Sequence, residues 1–278
     1  MAVPIFYFLF AISYSVRPQA HKIGCSHNRV RPEGKKQERM TSTFDNSAGY
    51  PPWLQRVLQR SLWATPVIPP LVRRSFPQVF WSGNADRWQV ALTFDDGPDR
   101  RDTLPLLNVL ARQRVRATFC YVGERVAAEP GVVSVAAAAG HQIGVHGYRH
   151  RAFVLDDPAA LRTQLDATRD LIASITGRDP ATINTVRPPY GIITPAIVQS
   201  LLAWGYRPLI GSIVPMHWVQ PAQHTIAQVQ RYAEPGAVIV LHESLPGAAI
   251  APLTDAIITR LRATGFAFVT IDKMRSSF

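Results

Sequence analysis

The chain has 278 residues, 47% of them hydrophobic, and a net charge of +11. That is enough for one large domain or two small ones around a sizeable core. Its two cysteines, Cys25 and Cys120, exclude a disulfide framework or a cysteine zinc cage. Cys120, inside an apolar run, reads as a small core residue. The charge is uneven: residues 1–85 hold 11 Lys/Arg against 3 Asp/Glu, and residues 86–278 hold 19 against 16. The basic leader reads first as a solvated tail. The sharper alternative is a peripheral contact with an anionic membrane or cell-wall polymer. No recognition motif accompanies the charge, so nucleic acid is not an expected partner.

Residues 1–39 form a leader. Its apolar stretch, 3–16, is shorter than the roughly 20 residues of a membrane span. It suits a signal or anchor, which places the protein in the cell envelope or outside the cell. A start at Met40, which leaves it cytoplasmic, suits the chain equally. Residues 40–86 read as a helix followed by a proline-rich linker. Trp53, Leu54, Val57, Leu58, Leu62 and Trp63 repeat at helical spacing. Such a stripe packs on its own domain by default, or lies in a membrane interface.

From 87 to 278 the pattern alternates strand and helix. Strands are expected over 88–94, 117–122, 142–145, 183–186, 206–212, 237–241 and 267–271. The clearest helix starts at the N-cap Asp157 with Pro158 as its first residue. It keeps Leu161, Leu165, Thr168, Ile172 and Ile175 on one face and stops at Gly177. A second opens at Thr194-Pro195 with Val198, Leu201 and Leu202 inside. A third carries Leu253, Ile257 and Leu261. Seven strands separated by helices argue for a parallel α/β fold, either a closed or nearly closed barrel or an open sheet.

Polar residues fall where such folds gather their chemistry, after the carboxyl ends of strands. Asp95 and Asp96 follow the first strand, His146 the third, Arg187 the fourth and His242 the sixth. Each has a plain reading alone: an acidic turn before Gly97-Pro98, a pair of helix-end histidines (His146, His150), a rigid turn at Arg187-Pro-Pro-Tyr-Gly191, and a core histidine. Together, in this order and on strand ends, they are not expected to coincide by chance. One carboxylate and two imidazoles at i, i+4 on a helical face can hold a divalent ion and leave it partly open.

This order resembles the polysaccharide deacetylase family, the group with the NodB homology domain (carbohydrate esterase family 4). The resemblance runs from about Val90 to Lys273. It rests on Thr-Phe-Asp-Asp-Gly-Pro, supported by Arg-Pro-Pro-Tyr-Gly and Val-Ile-Val-Leu-His. It implies a distorted (β/α) barrel of about seven parallel strands over 87–278. It also implies a metal-dependent hydrolase that removes N-acetyl groups from N-acetylglucosamine units in chitooligosaccharide or peptidoglycan. In the roles it implies, Asp96, His146 and His150 hold the metal, Asp95 is the general base and Arg187 holds Asp95. Tyr190 offers its backbone N–H to the oxyanion, His242 is the general acid, Leu241 lines the acetyl pocket, and Trp218 keeps its place by the site. Zinc suits these donors, with cobalt, nickel or manganese as alternatives.

Two departures stand out. Gly147 occupies a position usually Ser or Thr, whose hydroxyl braces the metal-site loop. Val214 and His217 stand where the family has aspartates, one of which orients and charges the acid histidine. The pKa of His242 is therefore expected to be lower, and the pH optimum more acidic, unless Glu243 or Asp255 substitutes; His217 could itself compensate. The altered motif also motivates a rival reading, a non-catalytic glycan-binding domain. A second rival is hydrolysis of another amide or an ester on the same metal site.

Overall fold

β1 (Gln89–Asp95) runs through the middle of an all-parallel sheet, buried from Val90 onward. The computed structural model describes residues 66–276 apart from 246 and 248. The leader and the 53–63 stripe lie outside them, and no helix of the described residues is long and apolar enough to cross a membrane. The other strands are β2 (Thr118–Tyr121), β3 (Gln142–Val145), β4 (Thr185–Val186), β5 (Arg207–Pro208), β6 (Val238–His242) and β7 (Ala267–Phe268). They lie in the order β5-β4-β3-β2-β1-β6, with β7 paired to the start of β1. After β5 the chain reaches across to β6: Ile213 bridges Ile239, and the Val240 N–H donates to the Ile213 carbonyl at 2.8 Å. The sheet is thereby curled into a distorted (β/α) barrel.

The α-helices of the described residues are α1 (Pro70–Ser75), α2 (Arg100–Arg112), α3 (Gly123–Ala128), α4 (Pro130–Ala138), α5 (Pro158–Thr176), α6 (Pro195–Ala203), α7 (Ala222–Tyr232), α8 (Ile250–Ala263) and α9 (Ile271–Arg275). α5 forms as its signals predict. The Asp157 carboxylate accepts from the N–H groups of Ala159 and Ala160, and Gly177 closes the helix in the left-handed region at φ 66°. Leu161, Leu165 and Ile172 join Leu106 and Leu110 of α2 and Leu253, Ile257 and Leu261 of α8 in the main core.

The structure corrects several expectations. Trp88 is not a buried strand residue; it precedes β1, is 60% exposed, and rests on Phe266. Leu202, expected inside α6, is exposed; the buried residues of that helix are Val198 and Leu201. The strand predicted over 206–212 is regular only at 207–208. Gly211 (φ 112°) breaks the extended run as the chain leaves β5 for β6. The 267–271 strand stops at Phe268, because Thr270 caps α9 by accepting from the Lys273 N–H.

His141, just before β3, is buried, and its Nδ1 accepts the Ala117 N–H at 3.1 Å. Burial, helped by the charge of Arg116, pushes its pKa down from 6.5 to about 4. The unfolded chain thus takes up this proton more readily. Stability present above pH 6.5 is lost as the pH falls toward 4, by at most ~3 kcal/mol. His141→Asn, which keeps an acceptor, is expected to flatten this part of the stability–pH curve in urea titrations. An equal slope in both proteins would refute that assignment.

Candidate active site

Strand register brings the polar residues level. Asp95 pairs across to Cys120 on β2 and to His242 on β6, and Tyr121 on β2 pairs with Val145, directly before His146. Val145 in turn pairs with Val186, directly before Arg187. Asp95 and His242 are the last residues of their strands rather than the first beyond them.

The chain turns sharply after β1. Asp96 adopts φ 69°, a left-handed conformation that aspartate tolerates better than most residues. Its carbonyl accepts from the Arg125 guanidinium at 2.6 Å. Gly97 follows because a Cβ there would sit 2.8 Å from the Glu243 carboxyl group. This turn carries the Asp96 carboxylate to the two histidines: Oδ1 lies 3.3 Å from His146 Nε2 and 3.1 Å from His150 Nε2. His146 Nδ1 is 2.6 Å from the Arg187 carbonyl. As donor to that carbonyl, Nδ1 leaves the Nε2 lone pair facing Asp96.

The histidine pair is not on a helix, contrary to the i, i+4 expectation. A turn at Gly147 (φ 84°) brings the rings to 5.2 Å, and a Cβ at 147 would meet the Arg149 carbonyl at 2.9 Å. The glycine departure therefore has a steric cause in this loop. Tyr190, itself at φ 61°, stands edge-on to His150 at 4.5 Å and donates its hydroxyl to the His150 carbonyl.

Charge and donor type in this trio fit a divalent cation. Burial works against the Asp96 carboxylate, yet the three nearby imidazoles of His146, His150 and His242 hold it well below the usual carboxylate range. Burial, with the neighbouring histidines, pushes His150 down to about 4, so it is a neutral donor at neutral pH. The ligand atoms of all three lie within 4.8 Å of one another, and one carboxylate with two imidazoles is a donor set that zinc and its neighbours accept.

Beside them Asp95 and Arg187 make a buried ion pair, with Oδ1 2.5 Å from the guanidinium NH1. On the opposite flank His242 is held in place. Its backbone N–H donates to His217 Nε2 at 3.0 Å, the two rings stack at 5.7 Å, and Trp218 stands edge-on at 4.8 Å. Burial lowers the pKa of His242, although Asp96 and Asp95 oppose it; burial, then the His242 charge, takes His217 down to about 3. Neither suggested substitute reaches His242. Glu243 faces Gly97 and hydrogen-bonds Thr103, and Asp255 is tied to Arg112 and Gln113 on the outer surface.

Leu241 does not line the cleft. Side chains alternate along a strand, so Val240 and His242 face the cleft while Leu241 packs into the main core. The period-two rule could have identified Val240. Nothing in the chain announced Ile68 and Val72, which precede β1 and also form part of the wall. One cleft, about 600 Å³ counting its open mouth, contains Asp95, His146, His150, Arg187, Tyr190 and His242.

Residues 82–209 match the polysaccharide deacetylase family. A peptidoglycan-N-acetylglucosamine deacetylase of Bacillus cereus is 34% identical over 202 residues, covering 70% of each chain. The chain belongs to the polysaccharide deacetylase family. A chitooligosaccharide deacetylase of Rhizobium leguminosarum bv. trifolii is 33% identical over 166 residues, covering 59% of this chain and 75% of its own. The crystal structure of a peptidoglycan N-acetylglucosamine deacetylase, Bc1960, superposes with a TM-score of 0.67 at 29% identity. That match covers 74% of this chain and 97% of that one.

Proposed function

We propose that this member of the family is a metal-dependent hydrolase that removes N-acetyl groups from N-acetylglucosamine-containing glycans of the peptidoglycan or chitooligosaccharide type. The observation that carries the reading is the convergence, in one cleft, of His146, His150, the Asp95–Arg187 pair and His242, with the Asp96 carboxylate against the two histidines. The relatives that act on these glycans support the substrate class.

A divalent cation held by Asp96, His146 and His150 would polarise the acyl carbonyl and acidify the attacking water. Asp95 accepts that water's proton, and Arg187, paired to it, holds the carboxylate in position. The backbone N–H of Tyr190, in the strained turn after Pro189, meets the developing oxyanion. His242 gives a proton to the departing nitrogen, with Trp218 and His217 fixing its ring. Acetate release from chitooligosaccharide, measured with and without a chelator, tests the proposal. Chelation and Asp96→Ala are each expected to abolish release, and metal analysis should show the ion missing from the variant. Undiminished turnover by metal-free protein would end the reading.

His217 in place of a carboxylate has a consequence for pH. A carboxylate beside an imidazole favours its protonated form. His217→Asp should therefore keep His242 protonated to higher pH and move the alkaline limb of the kcat/KM profile up by about one unit. An unmoved limb would show that His217 does not govern the acid.

A further inference from the structure

Part of the cleft wall is purely aliphatic. It consists of Ile68, Val72, Ile210, Val214 and Val240, each no more than 9% exposed, and it is continuous with Asp95 and His242. Two of these come from the segment before the family match, which is fastened to the barrel by its backbone. The Ile68 N–H donates to Ser212, the Val214 N–H donates to Pro66, and Val67 bridges Ile213 antiparallel. Ile68 and Val72 then pack with Val214 and Val240 in a cluster of their own. Gly211 lets the wall close: a Cβ there would press on Val240 Cγ2 at 2.7 Å.

Such a surface suits no sugar hydroxyl, because none of its side chains offers a hydrogen bond and burial without one is costly. The part of an N-acylated glucosamine that does suit it is the acyl tail, whose carbonyl must lie between Asp95 and His242 for reaction. We infer that Ile68, Val72, Ile210, Val214 and Val240 form an acyl chamber that accepts N-acyl groups longer than acetyl, with the 66–72 segment setting the chain length. This rests on the hydrolase reading above. The reaction balances as for acetyl: the C–N bond breaks, the water oxygen leaves in the fatty carboxylate, and its protons pass to the amine and solvent.

The test uses the full chain loaded with zinc and a set of glucosamine tetramers carrying N-acetyl, N-propionyl or N-butyryl groups. Each added methylene is expected to raise kcat/KM about fourfold. Ile68→Phe, which fills the chamber, should cut the butyryl-to-acetyl ratio by about tenfold or more. Refusal of butyryl while acetyl is hydrolysed, or an equal effect of Ile68→Phe on all three, would overturn the chamber and leave the hydrolase reading standing. If no tetramer is hydrolysed, the hydrolase reading fails and calorimetric binding to Asp95→Asn decides. Tighter binding of the butyryl than the acetyl tetramer supports the chamber; equal or weaker binding overturns it.

Discussion

Asp95→Asn should lower kcat/KM for glycan deacetylation by about 10²–10⁴, the range expected for loss of a positioned general base. The substitution keeps the size and shape of the side chain. An amide oxygen can still accept from the Arg187 guanidinium at the position Oδ1 now occupies. Asp96, His146 and His150 are untouched, so metal content should match wild type. The informative result is the combination: full metal and little turnover in a protein that is still folded, though less stable because the buried Arg187 charge has lost its counter-ion. Retention of more than a tenth of the activity would mean that Asp95 is not the proton acceptor and that Arg187 holds it for another reason.

Arg187→Met is expected to produce the largest loss of stability, about 3–5 kcal/mol, because it leaves a buried carboxylate without its partner. Asp95 is 2% and Arg187 3% exposed, so water cannot take the place of the guanidinium. His146 should feel the change less, since its Nδ1 bonds the backbone carbonyl of residue 187 rather than the side chain. Urea unfolding of the two single variants and of Arg187→Met with Asp95→Asn would measure the coupling. The double variant should be more stable than Arg187→Met alone, since it no longer buries an unpaired charge. A double variant as unstable as the sum of the singles would assign the loss to packing of the long arginine stem.

Much of the fold was legible along the chain because its signals are local. Alternating apolar runs, the Asp157-Pro158 start and the Gly177 stop each act within a few residues, and α5 forms between them. The polar residues of the site were legible for a related reason. In a parallel sheet every strand points the same way, so residues at strand ends converge whatever the loops between them do. Asp95, Asp96, His146, Arg187 and His242 could be placed on one face from their order alone.

What the linear pattern could not supply was direction and distance. Helical spacing placed His146 and His150 on a helix, but the left-handed backbone at Gly147 makes a turn that achieves the same proximity. The family resemblance suggested Leu241, while the pleat of β6 sends Val240 into the cleft. Glu243 and Asp255 were close enough in sequence to serve His242, yet one faces Gly97 and the other the outer surface.

Local propensity, then, was enough to place the strands approximately, three of the helices and the polar residues at the strands' carboxyl ends, because those preferences are settled by near neighbours. Which side chains touch across the cleft depended on contacts between residues far apart in the chain, as where Ile68 meets Val240 and Asp95 meets Arg187. No periodicity encodes such meetings; they follow from register, pleat and packing once the barrel has formed.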